Sequence, residues 1–141
     1  MITTVGRFEI DDDPVRVDRE AVWRYLSTEA YWGRDRSRAD VEAQLDGAWR
    51  VVAAYDGDGA TIGFARAVSD GVAFAYLADV YVDAAARGAG LGTALVRVMI
   101  DDGPGRRFRW TLFTQDAHGL YTRFGFAAPD ATAMVRPAAP A

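Results

Sequence analysis

The sequence contains no cysteine, only one histidine and no long hydrophobic run. Without cysteine, disulfide scaffolds, thiolate zinc sites and a cysteine nucleophile are excluded. A single histidine excludes a histidine-rich metal site, so we expect no bound metal. No apolar stretch approaches the roughly 18 residues of a membrane-spanning helix, and the N-terminus lacks the pattern of a signal peptide. We therefore expect a cytoplasmic protein without a membrane partner.

Charge and composition narrow the class further. Acidic residues outnumber basic ones by 20 to 16, and the net charge of −4 argues against nucleic acid as a partner. Half of the 141 residues are hydrophobic and 12% are aromatic, which is ample for one packed core. We expect a single domain over residues 1–136 and a flexible tail over residues 137–141.

A glycine-rich turn joins a predicted strand, residues 72–82, to an amphipathic helix that begins at Leu91. Residues 87–92 read Arg-Gly-Ala-Gly-Leu-Gly, and a ligand can approach the backbone closely where there is no Cβ. The N–H groups at the start of a helix are unpaired and carry a partial positive charge, to which Arg87 adds a cation. The turn therefore predicts an anion site, most plausibly for a diphosphate.

The spacing of the glycines distinguishes the kinds of phosphate-binding turn. A P-loop would need Gly-Lys-Ser/Thr, and a dinucleotide-binding turn would need Gly-x-Gly-x-x-Gly; neither is present. The pattern Arg-x-x-Gly-x-Gly over residues 87–92 resembles the acetyl-CoA signature of the GNAT (GCN5-related) N-acetyltransferases. A tight turn without a ligand is the alternative interpretation of this stretch alone.

A second motif follows in the order that the GNAT family shows. Residues 107–114 predict a strand, Asp116 is predicted to cap a short helix, and Gly125 is predicted to end it. Residues 120–126, Leu-Tyr-Thr-Arg-Phe-Gly-Phe, resemble the Tyr-x-x-x-Gly-Phe segment of these enzymes. With both motifs, the resemblance covers about residues 60–127, and the chain is identified as a member of the family.

The remaining elements fit the same fold. Asp18 and Ser37 are predicted to cap two helices, the second of which ends at Gly47. Further strands are predicted at residues 7–10, 49–55, 61–68 and 131–136. The order β-α-α-β-β-β-α-β-α-β predicts an α/β fold with a mixed, mostly antiparallel sheet flanked by about four helices. The short segment after Phe126 leaves a sheet edge that a partner could complete, so we expect either a monomer or a homodimer.

The resemblance implies an acetyl-CoA-dependent N-acetyltransferase in which a primary amine attacks the thioester directly in a ternary complex. A cysteinyl acyl-enzyme is excluded because the chain has no cysteine. The family's bulged strand before the turn implies that backbone N–H groups there polarise the carbonyl. The positions that the resemblance assigns to the coenzyme are Val80, Tyr81, Val82, Arg87, Gly88, Ala89, Gly90, Leu91, Gly92, Thr93, Asp116 and Tyr121.

Two catalytic residues are implied. Tyr121 occupies the position of the family's general acid, which protonates the departing thiolate. Asp79 lies just before the carbonyl-binding stretch and is the first candidate for a general base or an amine-binding group. Asp116, Asp70 and a water relay remain alternatives for the base.

The acceptor is the least defined part of the prediction. Trp32, Arg34 and Arg36 lie where the family places its acceptor-binding loop. Arginines there suit a carboxylate or phosphate on the acceptor, while Asp70 and Asp79 suit its ammonium group. The hypothesis is a small amine that can carry a carboxylate; an arginine-rich solvated loop is the alternative. A non-catalytic acyl-CoA sensor and a protein lysine or N-terminal acetyltransferase are the other function classes.

Overall fold

The computed structural model describes residues 1–140, so residue 141, the last of the predicted tail, lies outside the described residues. A six-stranded sheet in the order β1-β2-β3-β4-β5-β6 forms the centre. Neighbouring strands are antiparallel except for β5 and β6, which are parallel. This confirms the predicted α/β class with a mixed, mostly antiparallel sheet. The strands are β1 (Ile2–Val5), β2 (Phe8–Asp11), β3 (Arg50–Tyr55), β4 (Thr61–Ser69), β5 (Phe74–Val82) and β6 (Arg109–Thr111).

Four α-helices flank the sheet: α1 (Arg19–Thr28), α2 (Arg38–Asp46), α3 (Leu91–Met99) and α4 (His118–Thr122). Two predicted caps are present, because the Asp18 carboxylate accepts from the Ala21 N–H and Ser37 forms a capping box with Asp40. Short 3-10 turns, Pro14–Arg16 and Ala84–Ala86, precede α1 and α3. No helix in residues 1–140 is long and apolar enough to cross a membrane.

Each face of the sheet is covered by helices. On one face α3 buries its apolar stripe against the sheet, and on the other α1 and α2 pack together. The first core includes Ile10, Val52, Leu77, Leu91, Leu95 and Met99. The second includes Val22, Leu26, Val41, Tyr55, Phe64 and Tyr81. Because both faces are buried, β3 and β4 are apolar on both sides, which makes Arg66 within β4 an exception.

The two ends of the chain differ from the prediction. Residues 2–5 form an additional strand, which turns through Gly6 at a φ of +56° and pairs with β2. The strand predicted at residues 131–136 is wrong, since residues 127–140 hold neither helix nor strand. That segment is rich in alanine and buries little apolar surface, which leaves little to fix it on the sheet. β6 is also shorter than the predicted 107–114.

Candidate active site

An opening in the sheet between β5 and β6 forms the candidate site. Only Phe74–Tyr76 of β5 pair with β6, so the two strands separate beyond that point. A cavity of about 370 Å³ lies in this opening and is called the central cavity below. The β5 wall consists of Tyr76, Leu77, Ala78 and Val80; the segment after β6 contributes Leu112, Phe113 and Thr114.

A β-bulge in β5 shapes this wall. The partners in β4 shift so that Arg66 pairs with Asp79 and Ala67 with Leu77, which leaves Ala78 as an extra residue. Leu77 and Val80 therefore both face the α3 core, although an odd number of positions separates them. Asp79 is directed to the opposite face.

The bulge was expected in β5, but its position differs from the prediction. It precedes the predicted residues Val80, Tyr81 and Val82, and of these only Val80 lines the central cavity. Tyr81 is buried on the α1 face, where its ring stacks on Tyr25 at a centroid distance of 3.8 Å.

The glycine-rich turn has the geometry of an anion site. Gly88 and Gly90 adopt φ values of +89° and +79°, a region that residues with a Cβ rarely enter. Gly90 is the N-cap of α3 and has no side chain to satisfy the first turn. Within residues 1–140, the N–H groups of Leu91, Gly92 and Thr93 have no hydrogen-bond partner. These donors and the helix dipole fit a phosphate group.

Arg87 is engaged elsewhere in the structure. Its Nε donates to the Val82 carbonyl at 3.1 Å, and its Nη2 donates to the Tyr25 hydroxyl at 2.8 Å. The guanidinium thereby ties the end of β5 to α1. The anion site consequently rests on backbone N–H groups, and the exposed residues Gly88, Ala89 and Gly90 leave it open to solvent.

Tyr121, on α4, is buried and lines the central cavity. Its ring packs edge-on against Phe126 at 5.8 Å. Burial, with smaller contributions from Tyr31 and Asp116, raises the pKa of the Tyr121 hydroxyl to about 12. The phenol is therefore neutral at physiological pH and can serve as a proton donor.

Asp116 lines the same cavity but does not cap α4, so that prediction is wrong. Ala117 is the N-cap, without a capping side chain, and its N–H donates to the Thr114 hydroxyl instead. The Asp116 side chain is exposed at the cavity.

Asp79 is buried and lies at the centre of a hydrogen-bond network with Trp32, Arg36 and Arg66, called the Asp79 cluster below. Its side chain is only 1% exposed. It accepts from Trp32 Nε1 at 2.8 Å, from Arg36 Nη1 and Nη2 at 2.8 and 2.6 Å, and from Arg66 Nε at 2.9 Å.

These contacts argue against the predicted role of Asp79 as a general base. Burial alone would raise the pKa of its carboxyl, but the hydrogen bonds and charges of Arg36 and Arg66 hold the pKa below its usual value. A carboxylate paired in this way does not accept a proton near neutral pH. Asp79 instead connects the loop between α1 and α2 to the bulge of β5.

The predicted acceptor residues fall into two groups. Trp32 and Arg36 line the central cavity, whereas Arg34 and Asp70 do not. Arg34 is exposed and has no hydrogen bond or salt bridge within residues 1–140. Asp70 stabilises the turn between β4 and β5, where its carboxylate accepts from three backbone N–H groups and its pKa is lowered as a result.

Several cavity residues were not predicted from the sequence: Tyr31, Gln44, Arg66, Tyr76 and Phe113. These five residues come from five separate parts of the chain, which only the tertiary structure brings together. Arg66 did leave a signal, since it interrupts the apolar stretch Ile-Gly-Phe-Ala-Arg-Ala-Val of a strand with two buried faces.

The fold and the site define a class of α/β protein in which a glycine-rich turn, with unpartnered N–H groups among residues 1–140, lies beside a cavity in a splayed sheet. The Acetyltransferase (GNAT) family matches residues 18–126 of the sequence. The chain therefore belongs to the GNAT acetyltransferase family, and this membership indicates acyltransferase activity.

Solved structures agree with this assignment. An acetyltransferase of the GNAT family from Xanthomonas campestris pv. campestris is 33% identical, with a TM-score of 0.86 and coverage of 96% of both chains. An acetyltransferase from Deinococcus radiodurans R1 is 25% identical, with a TM-score of 0.73 and coverage of 95% of this chain and 92% of that one. A GNAT family protein from Streptococcus pneumoniae TIGR4, 24% identical with a TM-score of 0.70 and coverage of 98% of both chains, shares the fold. A comparison with curated proteins found no match.

Proposed function

We propose that the protein is an acetyl-CoA-dependent N-acetyltransferase that acts in the cytoplasm on the primary amine of a small molecule. The observation that carries the proposal is the continuity of β5 with the turn. Val80 lines the central cavity, and the strand then leads through Val82 into the turn whose N–H groups are free. A pyrophosphate on the turn would direct a thioester along β5 towards Tyr121.

In the proposed reaction, different residues of this site would carry out different steps. The N–H groups of Leu91, Gly92 and Thr93 bind the pyrophosphate, and the coenzyme supplies the acetyl thioester. The amine nitrogen attacks the thioester carbonyl carbon and forms the new C–N bond, and the C–S bond then breaks. Tyr121 gives its hydroxyl proton to the departing sulfur and is reprotonated from solvent. The nitrogen loses its extra proton to water, so the products are an amide and the free thiol.

The base in this proposal is water rather than Asp79, because Asp79 is held in ion pairs. Among the described residues that line the cavity, Asp116 is the only carboxylate. It is therefore the second candidate to receive the proton, either directly or through water.

The two aromatic residues that cover the cavity favour a small-molecule acceptor over a protein acceptor. Tyr31 and Trp32 from the loop between α1 and α2 pack edge-on at 5.0 Å and line the cavity together. A protein lysine or N-terminal substrate would need a groove in which its backbone could lie. A non-catalytic acyl-CoA sensor would use the turn but would have no need of Tyr121.

Release of free thiol from acetyl-CoA in the presence of a panel of small primary amines tests this function. The expected result is amine-dependent thiol release together with an acetylated amine detected by mass spectrometry. Acetyl-CoA binding without turnover of any amine would favour the sensor. Turnover of lysine-containing peptides alone would favour the protein acetyltransferase.

A further inference from the structure

The guanidinium of Arg66 is buried, and only one of its three nitrogens donates a hydrogen bond within residues 1–140. Arg66 is on β4, its side chain is 9% exposed, and it lines the central cavity. Its only side-chain hydrogen bond within residues 1–140 runs from Nε to Asp79 at 2.9 Å. The terminal nitrogens Nη1 and Nη2, with four N–H donors, have no protein partner there. They are also absent from the fully enclosed, unpartnered atoms, so they are open to the cavity.

Arg36 differs from Arg66 in this respect. Its Nη1 donates to both Gln44 and Asp79, and its Nη2 donates to Asp79. Arg36 therefore makes two of the four hydrogen bonds to the Asp79 carboxylate, and Arg66 makes one. Two guanidinium groups share one carboxylate, so the Asp79 cluster carries an uncompensated positive charge beside the cavity.

Because these terminal donors are open to the cavity, water or a ligand can accept from them, and an anionic group would form the stronger hydrogen bonds. The planar end of a guanidinium matches the two oxygens of a carboxylate or phosphate group, to which it can donate two parallel hydrogen bonds. Asp79 holds Nε, and this fixes the direction of the terminal nitrogens.

We propose that the Nη1 and Nη2 donors of Arg66 bind an anionic group of the acceptor, so that the preferred substrate is a small amine with a carboxylate or phosphate at its other end. This inference rests on the proposed N-acetyltransferase function and gives its substrate class. It moves the predicted anion-binding role from Arg34 and Arg36 to Arg66. Asp116, on the cavity wall near Tyr121, is the carboxylate that the acceptor's ammonium group would meet before it loses its proton.

Matched pairs of acceptors test the inference. We would compare γ-aminobutyrate with its amide, and O-phosphoethanolamine with ethanolamine, as kcat/KM for the unprotonated amine. The wild-type protein is expected to prefer an anionic member by about 10-fold to 100-fold, the effect of hydrogen bonds to a charged group. The two pairs also distinguish carboxylate from phosphate as the group that is recognised.

The variant Arg66→Lys tests the residue itself, because lysine retains a charge for Asp79 but lacks the forked donors. The preference, measured as the ratio of kcat/KM for the anionic member to that for the neutral member, should fall about 10-fold or more. The matched control is Arg34→Lys, the same change at an exposed arginine outside the cavity, and it should retain the full preference. Stabilisation by acetyl-CoA shows whether each variant is folded.

The outcomes separate the inference from the function on which it rests. If the neutral amines are acetylated as well as the anionic ones, the substrate class is wrong and the acetyltransferase function stands. If acetyl-CoA does not bind, the proposed function fails first. Should no amine turn over, the same pairs are added to the protein saturated with coenzyme A. If the anionic members then raise the unfolding temperature no more than the neutral ones do, the inference is overturned. If Arg66→Lys does not fold, the wild-type comparison decides.

Discussion

Tyr121 combines burial with access to the cavity, and this determines what its hydroxyl can do. Its raised pKa means that the phenol keeps its proton throughout the physiological range. A thiolate that leaves the tetrahedral carbon is basic enough to take that proton when the phenol is close. The motif around residues 120–126 identified the position of Tyr121, but its burial against Phe126 follows only from the structure.

Replacement of Tyr121 by phenylalanine should lower kcat about 10-fold or more, with little change in the binding of acetyl-CoA. In the proposed mechanism, the Tyr121 hydroxyl acts only when the sulfur departs, whereas the turn binds the coenzyme. Steady-state kinetics and thermal unfolding with acetyl-CoA measure the two effects. Tyr55→Phe is the matched control, because the Tyr55 hydroxyl is buried, has no hydrogen-bond partner among residues 1–140 and lies outside the cavity. An unchanged kcat in Tyr121→Phe would remove the residue from the mechanism.

The ionisation states of Tyr121 and Asp79 predict how kcat/KM depends on pH. The pKa of Tyr121 is raised, so its acidic form persists up to about pH 11 and causes no loss of rate below that. The pKa of Asp79 is lowered, so it does not titrate near neutrality. The value of kcat/KM should therefore rise with pH as the amine loses its proton and then remain level to about pH 10.

The measurement is a pH–rate profile with two amines of different basicity. The rising limb should move with the pKa of the amine. A limb between about pH 5 and 7 that stays in place when the amine is changed would indicate a titrating base on the protein, contrary to the water relay.

The loop between α1 and α2 is fixed over the cavity by the Asp79 cluster. Trp32 and Arg36 come from this loop, whereas Arg66 comes from β4. The bulge at Ala78 directs Asp79 towards them. Because the carboxyl's pKa is lowered in the folded protein, its stabilising contribution is complete above the unfolded pKa of about 4 and is lost as the pH falls through the folded value.

Asp79→Asn should lower the free energy of unfolding by about 3 kcal/mol, because it leaves two buried guanidinium groups without their counter-ion. It should also raise KM for the amine more than KM for acetyl-CoA, since the loop covers the acceptor end. Urea unfolding and steady-state kinetics are the measurements. The exposed residue Asp58, changed to asparagine, gives the control, with a change within about 0.5 kcal/mol. A large loss of kcat with unchanged stability would instead support a base.

Local signals in the sequence predicted those helices and strands whose ends are encoded by neighbouring residues. Asp18 and Ser37 fixed the starts of α1 and α2, and the apolar period from Leu91 fixed α3. The start of α4 was misjudged, because its N-cap is Ala117 rather than Asp116 and no side chain caps it within residues 1–140. The strand at residues 131–136 failed because pairing depends on a sheet edge that no sequence window describes.

The candidate site was predictable only where it follows the chain. The turn and Tyr121 belong to contiguous motifs, and both were found. The Asp79 cluster joins residues separated by 13 to 47 positions, so its ion pairs could not be read from spacing. For the same reason the prediction made Asp79 the first candidate for a general base or an amine-binding group and overlooked Arg66.

The proposed coenzyme site spans three consecutive elements of the fold: β5, the glycine-rich turn and α3. Gly92 offers a precise way to test it. A Cβ at this position would come no closer than 3.9 Å to Leu120 and 4.0 Å to Val82, so the fold itself does not require glycine. An aspartate there would lie in the first turn of α3, where a negative charge is favourable to the helix. It would nevertheless repel a phosphate from the same N–H groups.

Thermal unfolding of the wild-type protein, Gly92→Asp and the control Gly57→Asp, each with and without acetyl-CoA, tests the central claim most directly. Gly57 lies in the turn between β3 and β4 with open space around it, so it matches the change in charge. At about 100 times its Kd, acetyl-CoA should stabilise the wild type and the control by about 2.7 kcal/mol, and Gly92→Asp should lose most of this effect. Equal stabilisation of all three proteins, or of none, would contradict coenzyme binding at the turn.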